Sequence, residues 1–157
     1  MIKIQYIKSH LVQLLSILTV GFPFVGYKIL IGLLIRNLYE GPFALCASLL
    51  FILWGLVDLV LNTICLHAIT CRGNTHYPSC LLALIFRKCK RLGYWEDLGE
   101  ALDVMLSFVL VAYYVGGAMY GYLDGPQVKV WNICTVFNVL GAGIARINSS
   151  FTSNRNP

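Results

Sequence analysis

The chain has 157 residues, of which 58% are hydrophobic and only 12% charged, and its formal net charge is +5. Its mean hydropathy is +0.73. An ordinary soluble domain is about 25% charged, so too few polar residues are present to coat a water-facing surface. The composition implies one compact integral membrane unit and leaves no room for a separate soluble domain.

Four apolar segments lie at about 11–35, 43–67, 101–123 and 128–147, each near the ~20 residues that span a bilayer. Lipid offers the backbone no hydrogen-bond partners, so all four are predicted to be helices. The expected fold is an all-α integral membrane protein. It is a four-transmembrane-helix bundle over 1–147, with a short amphipathic cytoplasmic or interfacial helix between spans 2 and 3 and a polar tail over 148–157.

The first segment follows Lys3, Lys8 and His10. It outruns the ~7–15-residue apolar core of a secretory signal and shows no A-x-A-like cleavage site, so it is read as a span. Gln13, Ser16 and Pro23 mark only a weak polar face on it. Lys28 falls toward its outer end and is expected to snorkel outward, away from the acids of the other spans.

The second segment contains "FILWGLVDLVLNTICLH", with Asp58 in mid-run and Asn62 one turn later. Ala44, Ser48, Gly55, Asp58, Asn62 and Cys65 recur at helical spacing and form one stripe. Small and hydrogen-bonding residues in a span face other helices, so Asp58 is predicted to face protein. Counted from the inner helix ends at ~1.5 Å per residue, Asp58 and Asn138 lie at similar depths, roughly 12–14 Å. Without a cation beside it, a carboxyl in this medium is expected to hold its proton and donate to Asn138 or a carbonyl. Ionised, it needs water or an ion. Interhelical glue, ion or proton handling, and ligand binding all remain open on these residues.

The loop that follows carries Cys65, His67, Cys71, His76 and Cys80, which are metal-ligand types without the paired C-x2-C knuckle of zinc motifs. His10 and His67 flank the inner boundary as candidate haem or chlorophyll ligands. The stretch 79–95 then sets five apolar residues before Arg87, Lys88, Lys90 and Arg91, a pattern suited to a helix in the head-group region that meets anionic lipids rather than nucleic acid. The bland alternative is a short helix packed on the base of the bundle. Glu96, Asp97, Glu100 and Asp103 open the third segment, where acids oppose the positive end of the helix dipole. Asp103 is read as such an acid or as a mate for Arg146.

On the third span the packing stripe is Asp103, Ser107, Tyr114, Gly117 and Gly121, and Gly117-x3-Gly121 matches a close-packing spacing. On the fourth it is Asn132, Thr135, Ala142 and Ala145, with Asn138 alongside. Nine of the 12 Lys and Arg residues fall in the two tails, in the central loop or, as Arg146, at the inner end of the fourth span. The positive-inside rule therefore puts both termini in the cytoplasm, in a bacterial inner membrane or its equivalent.

No nucleophile elbow, HExxH zinc motif, P-loop or dinucleotide turn is present in the sequence. The chain is thus expected to be a non-catalytic subunit packed in a larger membrane complex with other membrane protein subunits and anionic lipids. No cofactor is required by the residues, although His10 and His67 could each ligate haem or a chlorophyll-type pigment and Tyr113, Tyr114, Tyr120 and Tyr122 would suit another protein, a quinone or a pigment. The alternative is a small oligomeric channel or transporter that uses the intramembrane Asp58. What separates the two is whether the polar stripes all turn inward to a wet cavity or partly outward to a partner.

Overall fold

The computed structural model describes residues 11–72, 77–88, 95–116 and 119–153, and these are helical apart from short turns, with no strand among them. Helix α1 runs Leu11–Leu38 and includes a π-helical turn at Ile17–Gly21. It is followed by α2 (Pro42–Arg72), α3 (Leu81–Lys88) and α4 (Trp95–Gly116). A 3-10 turn, Met119–Tyr122, then leads into α5 (Gly125–Ser153).

Three stretches, Leu11–Leu38, Pro42–Cys71 and Leu98–Val115, are long and apolar enough to cross a membrane. Leu50, Leu53 and Val60 on α2 and Met105, Val109 and Tyr113 on α4 point outward, while Lys28, Ser48, Asp58, Asn62, Asp103 and Ser107 are buried. That inversion of the soluble pattern is what a hydrocarbon solvent selects. The protein is a membrane protein.

Helix α1 is the axis of the bundle. In its apolar window 61% of the residues are buried, against 22% in those of α2 and α4, and α2, α4 and α5 all pack on it. A helix packed on several sides needs no single polar face, and of the three residues read as marking one, Pro23 is buried, Gln13 half-buried and Ser16 exposed. The π turn has a local cause. Pro23 has no N–H, and its ring displaces the carbonyl four residues back. The ladder widens just before it, so Phe22 N–H donates to Ile17 O. Gly41, at φ 107°, takes the positive φ open to glycine and reverses the chain, its carbonyl accepting from Leu45 N–H at 3.1 Å. At the start of α5, Gln127 Oε1 accepts from Asp124 N–H at 3.0 Å, one half of a capping box.

The α2 stripe is buried in full, from Ala44 to Cys65. On α4 the stripe holds through Asp103, Ser107 and Tyr114 but ends sooner than expected. The helix stops at Gly116 rather than running to 123, because adjacent glycines at 116 and 117 are poor helix formers. Gly117 lies outside the described residues, and Gly121 sits on the 3-10 turn with open space around it. Gly121 therefore makes no close helix contact within the chain. Close approach occurs elsewhere, at Gly55 between α2 and α1 and at Gly99 against the Ala83 backbone of α3.

The fourth stripe is also corrected. Asn132 and Ala142 are exposed, while Thr135 Oγ1 lies 2.8 Å from the Tyr27 hydroxyl of α1 as the stripe requires, Trp131, Cys134 and Gly141 face α1 and Asn138 is half-buried; the side chain of Ala145 is outside the described residues. Ranking by small and polar residues missed the aromatic anchor. Trp131 meets Tyr27 edge-on with centroids 4.9 Å apart, a contact worth more than the burial of a small residue. Helix α3 packs on α4 through fully buried Ala83 and presents Ile85, Arg87 and Lys88 outward.

Candidate functional site

The polar stripes of α2 and α4 converge on Lys28 of α1. Its Nζ lies 2.5 Å from Asp58 Oδ2 and 2.7 Å from each oxygen of Asp103. It also sits 4.4 Å from the centroid of the Trp54 ring, within cation–π range. Lys28 and Asp58 are each 1% exposed and Asp103 4%.

Three expectations are overturned here. Lys28 does not snorkel outward, Asp58 does not lack a cation, and Asp103 is more than a helix-start acid or a mate for Arg146, whose side chain lies outside the described residues. Side chains lean toward the N-terminus of their own helix. Leu14 and Ile17 of α1 pack with Tyr77, just before α3, so the long Lys28 stem, leaning back along its helix, runs toward both acids. Gly55, one turn before Asp58, leaves space for it, since a Cβ there would crowd Lys28 Cβ and Ile29.

Asp58 is satisfied on its other side as well. Its Oδ1 accepts from Leu81 N–H at 2.6 Å, so the first turn of α3 is tied to the middle of α2. Asn62 Nδ2 donates to the Asp58 carbonyl at 2.9 Å. Asn138 does not reach Asp58; its Nδ2 is buried without a hydrogen-bond partner. An unpaired buried charge costs several kcal/mol, and pairing offsets this only when the geometry is good. Here the geometry is good, but one ammonium serves two carboxylates.

Beside the three charges is a cavity of about 90 Å³, well below the ~300–1,000 Å³ of drug-sized ligand sites and ample for a few waters or a small ion. Ser16, Val20, Gly21 and Phe24 of α1 wall one side, Asn62 another, and Ser79, Cys80 and Glu100 the α3 end. Ser16 is exposed and Ser79 and Glu100 are partly so, which makes them the rim, with the charges at the inner end. Ser79 Oγ donates to Glu100 Oε1 at 2.6 Å across that rim. Burial pushes the Cys80 thiol up to about 12, so it stands as a neutral wall. Asn62 Oδ1 in the cavity wall and Ser107 Oγ one turn after Asp103 on α4 are buried with no hydrogen-bond partner.

The other sequence candidates lie apart. Cys65 is buried and its thiol donates to the Tyr77 carbonyl. His67 and Cys71 are exposed neighbours, Nδ1 to Sγ 3.5 Å. Among the described residues no three His, Cys, Asp or Glu side chains converge to hold a metal. His10, His76, Lys90 and Arg91 lie outside the described residues. Arg87 and Lys88 are exposed at the end of α3.

No protein-family model, curated protein or solved structure matches the chain. The geometry alone carries the functional reading. Sequence reasoning found Asp58 and Asn62 and missed Lys28, Trp54 and the joint role of Asp103. The usable signal was Lys28 in the first span set against Asp58 and Asp103 in the second and third, read with the direction in which a helical side chain leans.

Proposed function

We propose that the chain is a small multi-pass membrane protein that handles a proton or small cation at the Lys28–Asp58–Asp103 centre, as an oligomeric channel or transporter. Helix α5 supplies the fourth span, with Val130, Ile133, Val136 and Val139 turned to lipid, and both termini are cytoplasmic. The rim at Ser16, Ser79 and Glu100 then opens to the cytoplasm.

The observation that carries this reading is a cavity of about 90 Å³ placed against three buried charges. A device for packing alone gains nothing from a void beside the groups most expensive to leave unsolvated. Intramembrane charges around a wet space are the usual hardware of ion and proton paths. Flux into liposomes reconstituted with the full chain tests it. Wild type should move protons or monovalent cations, and Asp58→Asn, folded by size-exclusion, should not. Equal, protein-independent leak in both would remove the reading. Reporter fusions at Gly125 and Pro157 test the topology, with cytoplasmic activity expected only at Pro157.

A second reading, the non-catalytic subunit of a larger complex, is favoured by α5, whose Asn132 and Ala142 turn outward. Mild-detergent purification separates the two. Co-migrating membrane proteins would support the subunit, and a species of 17.5 kDa or its multiples the transporter.

A further inference from the structure

We infer that the cavity beside Asn62 binds one small monovalent metal cation of the sodium class, a step that rests on the ion-handling reading above and names its occupant. Lys28 brings one positive charge against the two negative charges of Asp58 and Asp103. The ionised centre thus carries one surplus negative charge in a low dielectric, and a single added positive charge balances it. A divalent ion would overshoot by one.

A proton would also balance the charge, but Asn62 points to a metal ion. Its Nδ2 is engaged by the Asp58 carbonyl, which leaves the carbonyl oxygen Oδ1 as the free atom. That oxygen belongs to a side chain 2% exposed, has no hydrogen-bond partner and lines the cavity. A bare amide oxygen beside carboxylates is a hard-cation ligand set. A proton placed on Asp58 or Asp103 leaves it unsatisfied. Gly21 keeps the room open, because a Cβ there would collide with Asn62 Oδ1. The second lone pairs of the two carboxylates complete the ligand set, with water from the rim side.

The test is thermal unfolding and calorimetric titration of the purified full chain in sodium, potassium, magnesium or choline chloride at matched ionic strength. Sodium should raise the unfolding temperature in a saturable way, and choline, too large for the cavity, should not. Asn62→Ala should weaken the sodium effect about tenfold or more. Asn138→Ala, which removes a buried amide outside the cavity, should leave it unchanged. Asn62→Asp keeps an oxygen in place and adds a charge, so magnesium should replace sodium as the better stabiliser. This last variant also guards against poor folding of the alanine variant. Equal stability in sodium and choline, or a sodium effect that survives in both Asn62 variants, would overturn the inference. Proton flux in liposomes with no sodium dependence would sink the cation and keep the ion-handling reading. Saturable sodium binding without any flux would do the reverse.

Discussion

Two regions of α1 carry side chains shut off from solvent and are held in opposite ways. Toward its C-terminus, Ile31 is 1% exposed and Leu34 0%, and both pack in an apolar cluster with Tyr27, Tyr114, Leu123 and Trp131. Toward its N-terminus the same helix meets its neighbours through Lys28, a π turn and a polar cavity. The apolar half is held by many weak, interchangeable contacts. The polar half is held by a few contacts that fail together. Burial alone therefore does not say how a substitution will be felt; the chemistry of the neighbours does.

The sharpest way to break this contrast is Lys28→Met, which leaves two carboxylates face to face. Removing one partner of a buried charge cluster costs about 3–5 kcal/mol, seen as a large loss of unfolding temperature in detergent. Adding Asp58→Leu and Asp103→Leu should restore most of that loss, because an apolar replacement of the whole cluster is close to neutral. If the triple variant stays as unstable as the single one, the cluster is not acting as a unit. In the dry half, Leu34→Ala should cost about 2–4 kcal/mol through the void it leaves, with no rescue by any single partner change. Gly55→Val, at the seam between the halves, should cost about 1–3 kcal/mol by overpacking Lys28 Cβ and Ile29.

Changes at Asp58 itself should be milder. Asp58→Asn keeps an acceptor for Leu81 N–H and leaves Lys28 paired with Asp103, so assembly in detergent should match wild type. Asp58→Leu orphans the Leu81 N–H, at roughly 0.6–2 kcal/mol. The smallest effect is chemical. Thiolates, not thiols, react with maleimide, and the Cys80 thiol keeps its proton up to about 12 against an ordinary 9.0. At pH 8 exposed Cys71 should label readily and Cys80 should not. Because the unfolded chain loses this proton from about pH 9 while the folded one holds it, Cys80 lowers stability as pH rises through that window. Labelling of Cys80 as fast as Cys71 would show that the α3 end is open.

The α2 face was legible from sequence because a 3.6-residue period of small and polar residues has one meaning in lipid, and Ala44 to Cys65 obey it. Lys28 was misplaced because depth was counted along Cα positions, whereas its stem reaches back along α1. The α5 face was found only at Thr135, because Trp131 announces nothing by polarity and is fixed by the ring it meets, Tyr27. The link from Asp58 to Leu81 N–H had no sequence signal at all. It depends on where the loop before α3 enters the bundle, and loop paths have no periodicity to read.

The π turn at Ile17–Gly21 gives α1 a gear-like offset. One surplus residue advances the helix by about 100°, so Leu11–Ser16 is rotated in phase against everything after Pro23. Ser16 at the rim of the cavity and Lys28 at its inner end thus belong to two helical phases threaded on one rod. Deleting a single residue from the turn would leave Lys28 among its acids while swinging Ser16 off the rim. The mouth of the cavity can in this way be re-cut by a change of length rather than of chemistry.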